Sequence, residues 1–171
     1  NVNVSLHPAE LAEVALALQR ACGIVFSDRH GPPIRSGFSQ AASALGIAPR
    51  ALLSRVRTGD PDALRALVEG SVVGETYFAR HPEQFEALRT VIRGEPHDRP
   101  FRVWCAGCAS GEEAYTMAAL LHEEGRRAPA SILATDVSQG AIETARRGRY
   151  GPWSLRGLAV PSRERWLRPE G

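Results

Sequence analysis

The sequence has no lysine: all 21 of its basic residues are arginine. That absence excludes Schiff-base lysine chemistry and a Walker-type phosphate loop, whose motif requires lysine. Long apolar runs are missing too, none approaching the ~20 residues of a membrane span. The opening Asn1-Val2-Asn3-Val4 lacks the basic start and apolar stretch of a signal peptide. A cytoplasmic protein with no membrane insertion is therefore expected. An excess of charge of either sign is also missing, the net value being +2. It gives no electrostatic reason to invoke nucleic acid as a partner. Cysteine is scarce, with three residues. Two of them form Cys105-Ala-Gly-Cys108 between an expected strand and an expected helix, which is the setting of a redox pair. A structural zinc site needs a second ligand pair, and none follows at suitable spacing, so no metal is expected. Two small thiols packed in a tight turn are the plainer reading.

What is present is the profile of a folded protein. Hydrophobic residues make up 43% and charged residues 23% of 171 residues. That length suits one ordinary domain or two small ones. Abundant Arg, Ala and Gly without Lys fits a GC-rich bacterial genome.

The first part reads as helices. Pro8 suits a first helical position, and Leu11, Val14, Leu18 and Cys22 follow at helical spacing until Gly23. A Gly-Pro-Pro turn at residues 31–33 precedes a helix through Phe38, Ala41, Ala42 and Leu45. Another helix follows Pro49, with Leu52, Leu53 and Val56 apolar. Asp60 is a good N-cap and Pro61 a good first residue for the next, which carries Leu64, Leu67 and Val68 on one face. Four short helices predict a small bundle. Residues 74–80 form a non-periodic connector, His81 to Arg93 a further helix, and residues 94–100 a polar linker.

The pattern then changes. Phe101 to Cys105 reads as a strand, residues 107–111 as a small-residue turn, and Glu112 to Glu124 as a helix. On that helix Tyr115, Ala118, Ala119 and His122 share a face, with Met117, Leu120 and Leu121 beside it. Ser131 to Thr135 is a second strand ending at Asp136, and Ser138 caps a helix through Ile142 and Ala145. Strand, turn, helix, strand, helix is the opening of a parallel α/β sheet.

The turn carries the chemistry. Gly107 and Gly111 permit positive φ or close approach of a ligand to the backbone. Glu112 and Glu113 directly after it would repel a phosphate and suit a ligand with positive or hydroxyl-rich parts. S-adenosyl-L-methionine offers a sulfonium, an ammonium and a ribose diol. Asp136, one β-α-β unit on, stands where an acid meets ribose hydroxyls in dinucleotide-type folds. The simpler reading of the two glutamates is first-turn carboxylates favoured by the helix dipole.

Gly74-Glu-Thr-Tyr-Phe-Ala-Arg80, His81-Pro-Glu-Gln-Phe85, the stretch from Arg102 to Tyr115, Ala134-Thr-Asp-Val-Ser138 and the segment Ala141 to Tyr150 together resemble the ordered motifs of CheR-type chemotaxis-receptor protein-glutamate O-methyltransferases. The resemblance spans nearly the whole chain and implies a fold of class α + α/β. It comprises a small N-terminal helical bundle and the first β-α-β-α portion of a Rossmann-like class I methyltransferase domain. The expected parts are a helical domain at 1–73, a connector and linking helix at 74–100, and a partial S-adenosylmethionine-binding α/β domain at 101–171.

Residue by residue, the resemblance makes Gly74, Thr76, Arg80, Gly107, Glu113 and Asp136 cofactor-binding and Arg80 catalytic. Gly74 departs from the family pattern, where Asn is frequent. Ala79 stands where a second Phe is common. The implied reaction methylates glutamate side chains on chemoreceptor cytoplasmic helices, leaving S-adenosyl-L-homocysteine. Its nucleophile is a carboxylate already ionised near neutral pH, so no strong general base is required. Alignment and exclusion of water then carry catalysis, with Arg80 orienting the acceptor. Arg50, Arg55, Arg57 and Arg65 place positive charge around two helices, which suits steering toward acidic receptor coils.

Two strands are fewer than the family's sheet has, so an open edge and exposed apolar surface are expected. With them go weak or no cofactor binding and a possible homodimer. The competing reading is a receptor- or partner-binding module without catalysis. A nucleic-acid methyltransferase is disfavoured by the lack of an Asn/Asp-Pro-Pro-aromatic signature.

Overall fold

The structure is a computed structural model that describes residues 6–26, 31–126 and 129–169. The outermost residues of the first and last expected domains lie outside these. The chain divides into two compact units, Asn1–Val73 and Gly74–Gly171.

Among the described residues the first unit has four helices. α1 (Pro8–Cys22) opens with a capping box: the His7 amide donates to Glu10 Oε2 at 2.8 Å, and His7 Nδ1 accepts from the Ala9 amide at 3.4 Å. α2 (Gly31–Ala44) begins at Gly31, so Gly-Pro-Pro is the helix's first turn and not a turn before it. Proline is tolerated there because first-turn amides have no partner within the helix. α3 (Pro49–Arg57) and α4 (Pro61–Ser71) follow. Asp60 caps α4 by accepting from the Ala63 amide at 2.9 Å. That bond first, and the Arg55 guanidinium second, hold its carboxyl below the usual range. Val14, Leu18, Ile34, Phe38, Leu52 and Leu67 are fully buried between the helices.

The expected basic face does not form. Arg50 pairs with Glu10 at 2.5 Å, Arg55 with Asp60 at 2.9 Å, Arg57 with Glu13 at 2.7 Å and Arg65 with Asp62 at 2.8 Å. Every one of the four has a carboxylate partner, so they present a mixed surface rather than a positive one. Sequence spacing could not show this for Arg50 and Arg57, whose partners lie on α1 and are brought close only by packing.

In the second unit the connector leads to α5 (Pro82–Gly94), β1 (Phe101–Ala106), α6 (Glu112–Glu123), β2 (Ala130–Thr135), α7 (Gln139–Arg147) and α8 (Val160–Trp166). β1 and β2 pair in parallel, from Phe101 opposite Ala130 to Ala106 opposite Thr135. The expected parallel α/β opening is thus borne out.

α5 and α6 lie over one face of the sheet. Ile92, Leu120 and Leu121 are buried there against Phe85, Leu88, Phe101, Val103 and Ile132. The other face is open: Trp104 is 67% and Leu133 62% exposed, and they are direct neighbours in the register. The buried side of α6 runs through Glu112, Thr116, Leu120 and Leu121. The face of Tyr115, Ala118, Ala119 and His122 instead borders a cleft of about 880 Å³ shared with Tyr150 and Trp166. α8 is joined to α6 by the Trp166 indole donating to Glu123 Oε1 at 2.9 Å.

An ion-pair cluster ties α5 to the end of α6. Arg93 Nε donates to Glu124 Oε2 at 2.7 Å, Arg89 Nη1 to Glu124 Oε1 at 2.6 Å and Arg89 Nη2 to Glu123 Oε2 at 3.1 Å. Arg93 first and Arg89 second push the Glu124 carboxyl down to about 2 from its ordinary 4.5. A carboxyl depressed on folding stabilises above its unfolded value and loses that contribution as pH falls through the folded one. The window is therefore pH 4.5 down to about 2. Glu124→Gln is expected to be less stable than the unaltered chain at pH 7 and to show a smaller loss on acidification across that window. Thermal melts followed by circular dichroism at stepped pH check this; equal acid slopes would overturn it.

Candidate cofactor site

The carboxyl ends of the two strands converge on one turn. After β1, the Gly107 and Cys108 amides both donate to the Thr135 carbonyl, at 2.8 and 3.0 Å. The turn is thereby fastened to the end of β2. Gly107 has φ +77, and space is open where its side chain would stand. Ala109 also takes positive φ, at 46°, a conformation that costs energy for a residue with a Cβ. Its amide donates to Asp136 Oδ2 at 2.8 Å, which offsets the strain. The other oxygen of Asp136 accepts from the Ser138 amide at 2.9 Å, and Ser138 Oγ caps α7 by accepting from the Ala141 amide at 2.9 Å. One carboxylate therefore fixes the turn after β1 and the start of α7 together.

Gly111 closes the turn with φ +97 at the head of α6. A Cβ there would lie 2.7 Å from Ala145 Cβ and 3.0 Å from the Tyr150 hydroxyl. This is where glycine is required twice over, for its dihedral and for the approach of α7. Tyr150 completes the junction by donating to the Ser110 carbonyl at 2.7 Å. Burial, and then the nearby Glu112, pushes its phenol up.

The two glutamates are used differently. Glu112 is buried and accepts from Ser110 Oγ at 2.7 Å. Glu113 is half-buried and accepts from the Cys105 thiol at 3.2 Å. Burial, followed by that bond to Glu113, raises the Cys105 thiol to about 12, and burial also raises Cys108. Thiols in this state are not the low-pKa nucleophiles that redox exchange uses. Both are free and buried, as two packed thiols would be.

Of the residues singled out from the sequence, Gly74, Gly107 and Asp136 come together around Ala109. A Cβ at Gly74 would stand 3.7 Å from Ala109 Cβ. Glu113 joins the group through Cys105 at the end of β1. Thr76 is half-buried in the connector. Arg80 is exposed, donates from Nη1 to the Glu75 carbonyl and lies 5.9 Å from the Tyr77 ring centroid. Its guanidinium is tied to its own connector and bonds to no residue of the Asp136 cluster. Ala109, Ser110, Thr116 and Tyr150 were given no role in the sequence reading. Thr116 Oγ1 accepts from the Ala79 amide at 3.2 Å while donating to the Glu112 carbonyl at 2.7 Å. A threonine in a helix interior beside a glycine-rich turn was the available signal.

The cluster tests well against a ligand carrying hydroxyl and ammonium groups. Each Asp136 oxygen takes one amide and retains capacity for a further donor. Neither Asp136 nor Glu113 has an arginine partner among the described residues. Two carboxylates near a turn of small residues, one bonded to the turn and one to the strand before it, disfavour phosphate and favour donors.

Fold and turn thus define an α/β domain whose parallel strands meet at one glycine-containing turn, with an acid directly after the second strand. The chain belongs to the CheR methyltransferase family: residues 74–171 match the CheR methyltransferase, SAM binding domain. It is 31% identical to a chemotaxis protein methyltransferase of Vibrio parahaemolyticus, covering 98% of this chain and 65% of that protein. Chemotaxis protein methyltransferase 1 of Vibrio cholerae is also 31% identical, over 95% of this chain and 62% of its own length. A probable biofilm formation methyltransferase, WspC of Pseudomonas aeruginosa, is 37% identical over 63% of this chain and 26% of that protein. The chain spans just under two thirds of the length of the two chemotaxis relatives. The methyltransferase family expected from the sequence is borne out, and S-adenosylmethionine is the cofactor that the matched domain binds. No helix among the described residues is long and apolar enough to cross a membrane.

Proposed function

We propose that this chain carries the cofactor-binding front of a methyltransferase that esterifies glutamate side chains on chemoreceptor cytoplasmic helices, acting in the cytoplasm. The observation that supports this best is the Asp136 carboxylate, which joins the Ala109 and Ser138 amides at the ends of both strands. In that position it accepts the hydroxyl protons of a ribose. Gly107 and Gly74 leave the backbone open beside it, and Glu113 offers a second carboxylate for a cationic part of the ligand. S-adenosylmethionine supplies the methyl group when bound, and the acceptor carboxylate oxygen gains it as an ester while S-adenosylhomocysteine is released. Arg80 orients that carboxylate by a two-pronged guanidinium contact, for which it must leave the Glu75 carbonyl.

Titration calorimetry with S-adenosylhomocysteine, followed by tritiated methyl transfer to a receptor cytoplasmic fragment, tests the reading. Saturable binding and base-labile label on the fragment support it. Binding of the fragment with no heat from S-adenosylhomocysteine would favour a docking module without catalysis. Full transfer by Arg80→Ala at saturating cofactor would remove Arg80 from the mechanism.

A further inference from the structure

We propose that Arg156 is a positioning residue whose guanidinium clamps the 74–80 connector, and with it Thr76 and Arg80, in the conformation that the cofactor site uses. The proposal rests on the cofactor reading above and extends it to a segment, residues 152–158, that the motifs leave without a role.

The Arg156 guanidinium carbon lies 3.8 Å from the centroid of the Tyr77 ring and 4.0 Å from that of Trp153. Among the described residues no other arginine is stacked between two aromatic faces. Its Nη1 donates to the Trp153 carbonyl at 2.7 Å, and its Nη2 to the Glu75 carboxylate. One planar cation thus holds side chains at two positions of the connector, Glu75 and Tyr77, against a turn far along the chain. Only arginine joins a flat face for stacking to donors in its plane.

The connector backbone is held at the next two residues. The Phe78 amide donates to the Ser154 carbonyl at 3.0 Å. Gly157 makes the approach possible, since a Cβ there would lie 2.4 Å from the Phe78 carbonyl oxygen. Phe78 is buried and meets Tyr150 edge to face, with centroids 5.0 Å apart. Ala79, at φ 54, is held by Thr116. A left-handed alanine persists only where its surroundings over-determine it. It sits directly before Arg80, so its dihedrals set where the Arg80 side chain departs. Trp153 is 70% exposed, so its ring contributes to the stack on Arg156 far more than to any buried core.

Amide hydrogen exchange and S-adenosylhomocysteine calorimetry on the full chain test the proposal together. Arg156→Ala is expected to speed exchange at Phe78 and Ala79 about tenfold while Val103 and Leu120 stay protected. Its affinity for S-adenosylhomocysteine should fall about tenfold. Arg156→Lys retains the charge for Glu75 without the planar face and should fall between. Trp153→Ala removes one exposed face without touching a core; it should show the same pattern more weakly, and serves if Arg156→Ala fails to fold. Unchanged exchange at Phe78 and Ala79 would overturn the clamp. A loosened connector with unchanged affinity would overturn the positioning role. No binding by the unaltered chain would overturn the cofactor reading and the positioning role built on it, while exchange would still decide the clamp.

Discussion

Gly37→Ala is expected to lower the melting temperature of the helical unit by roughly 10 °C, from a net loss of about 2 kcal/mol. Gly37 on α2 lies against Gly70 on α4. A Cβ at Gly37 would stand 2.7 Å from both the carbonyl carbon and oxygen of Gly70 and 2.2 Å from Ser71 Oγ. The hydroxyl can rotate away, but the Gly70 backbone cannot. The helices must separate, and Phe38, Ala41, Ala63 and Leu67, all buried around this crossing, lose contact on both sides. Alanine's better helix propensity returns up to ~1 kcal/mol, too little to offset this. Gly94→Ala, at the end of α5 with nothing near its side-chain position, is the control and should be neutral or slightly stabilising. Differential scanning calorimetry of both variants decides the matter. A Gly37→Ala melt within about 2 °C of the unaltered chain would show that the helices yield more easily than backbone-to-backbone packing allows.

Asp136→Ala is expected to abolish measurable binding of S-adenosylhomocysteine and to loosen the turn after β1. Both carboxylate oxygens accept backbone amides, and a hydrogen bond to a charged acceptor contributes about 1.5–3 kcal/mol. Since Asp136 is only half-buried, water offsets part of that, and the domain should stay folded. The Ala109 amide then loses the partner that holds its left-handed backbone. Asp136→Asn separates the two roles. Its amide oxygen can keep one backbone donor, while the charge and the second acceptor are lost. We expect the Asp136→Asn variant to keep most of the exchange protection at Ala109 but to bind S-adenosylhomocysteine at least about tenfold more weakly. Equal affinity in the Asp136→Asn variant and the unaltered chain would confine Asp136 to supporting the turn.

Much of the local structure was legible because its causes are local. Pro8, Pro49, Pro61 and Pro82 mark helix starts, and Asp60 and Ser138 cap helices through amides three residues on. Gly23 and Gly148 end helices in the left-handed conformation. The turn from Gly107 to Gly111 could be read from small residues between a strand and a helix. Gly31-Pro-Pro was misread because the same residues punctuate a turn and begin a helix, and only the chain that follows distinguishes them.

Pairing across the chain was not legible. Nothing in the spacing of Arg50 and Arg57 tells that α1 brings Glu10 and Glu13 to them and cancels the expected basic face. Nothing in the sequence around Arg156 tells that Tyr77 and Glu75, about eighty residues away, meet it.

The Val103 to Tyr115 stretch shows the division most clearly. Its residue types by themselves determined a strand, a tight turn and a helix carrying carboxylates at its head, because backbone dihedrals and capping depend on neighbours a few residues away. Which of these carboxylates is buried and which stays partly exposed was decided only by tertiary structure. Glu112 is buried beside Ser110, the Cys105 thiol holds Glu113 at the strand end, and Asp136 arrives from the second strand to support the turn. The physical reason is range: sterics and caps act within one turn of chain, whereas burial and charge pairing depend on segments that only folding brings together.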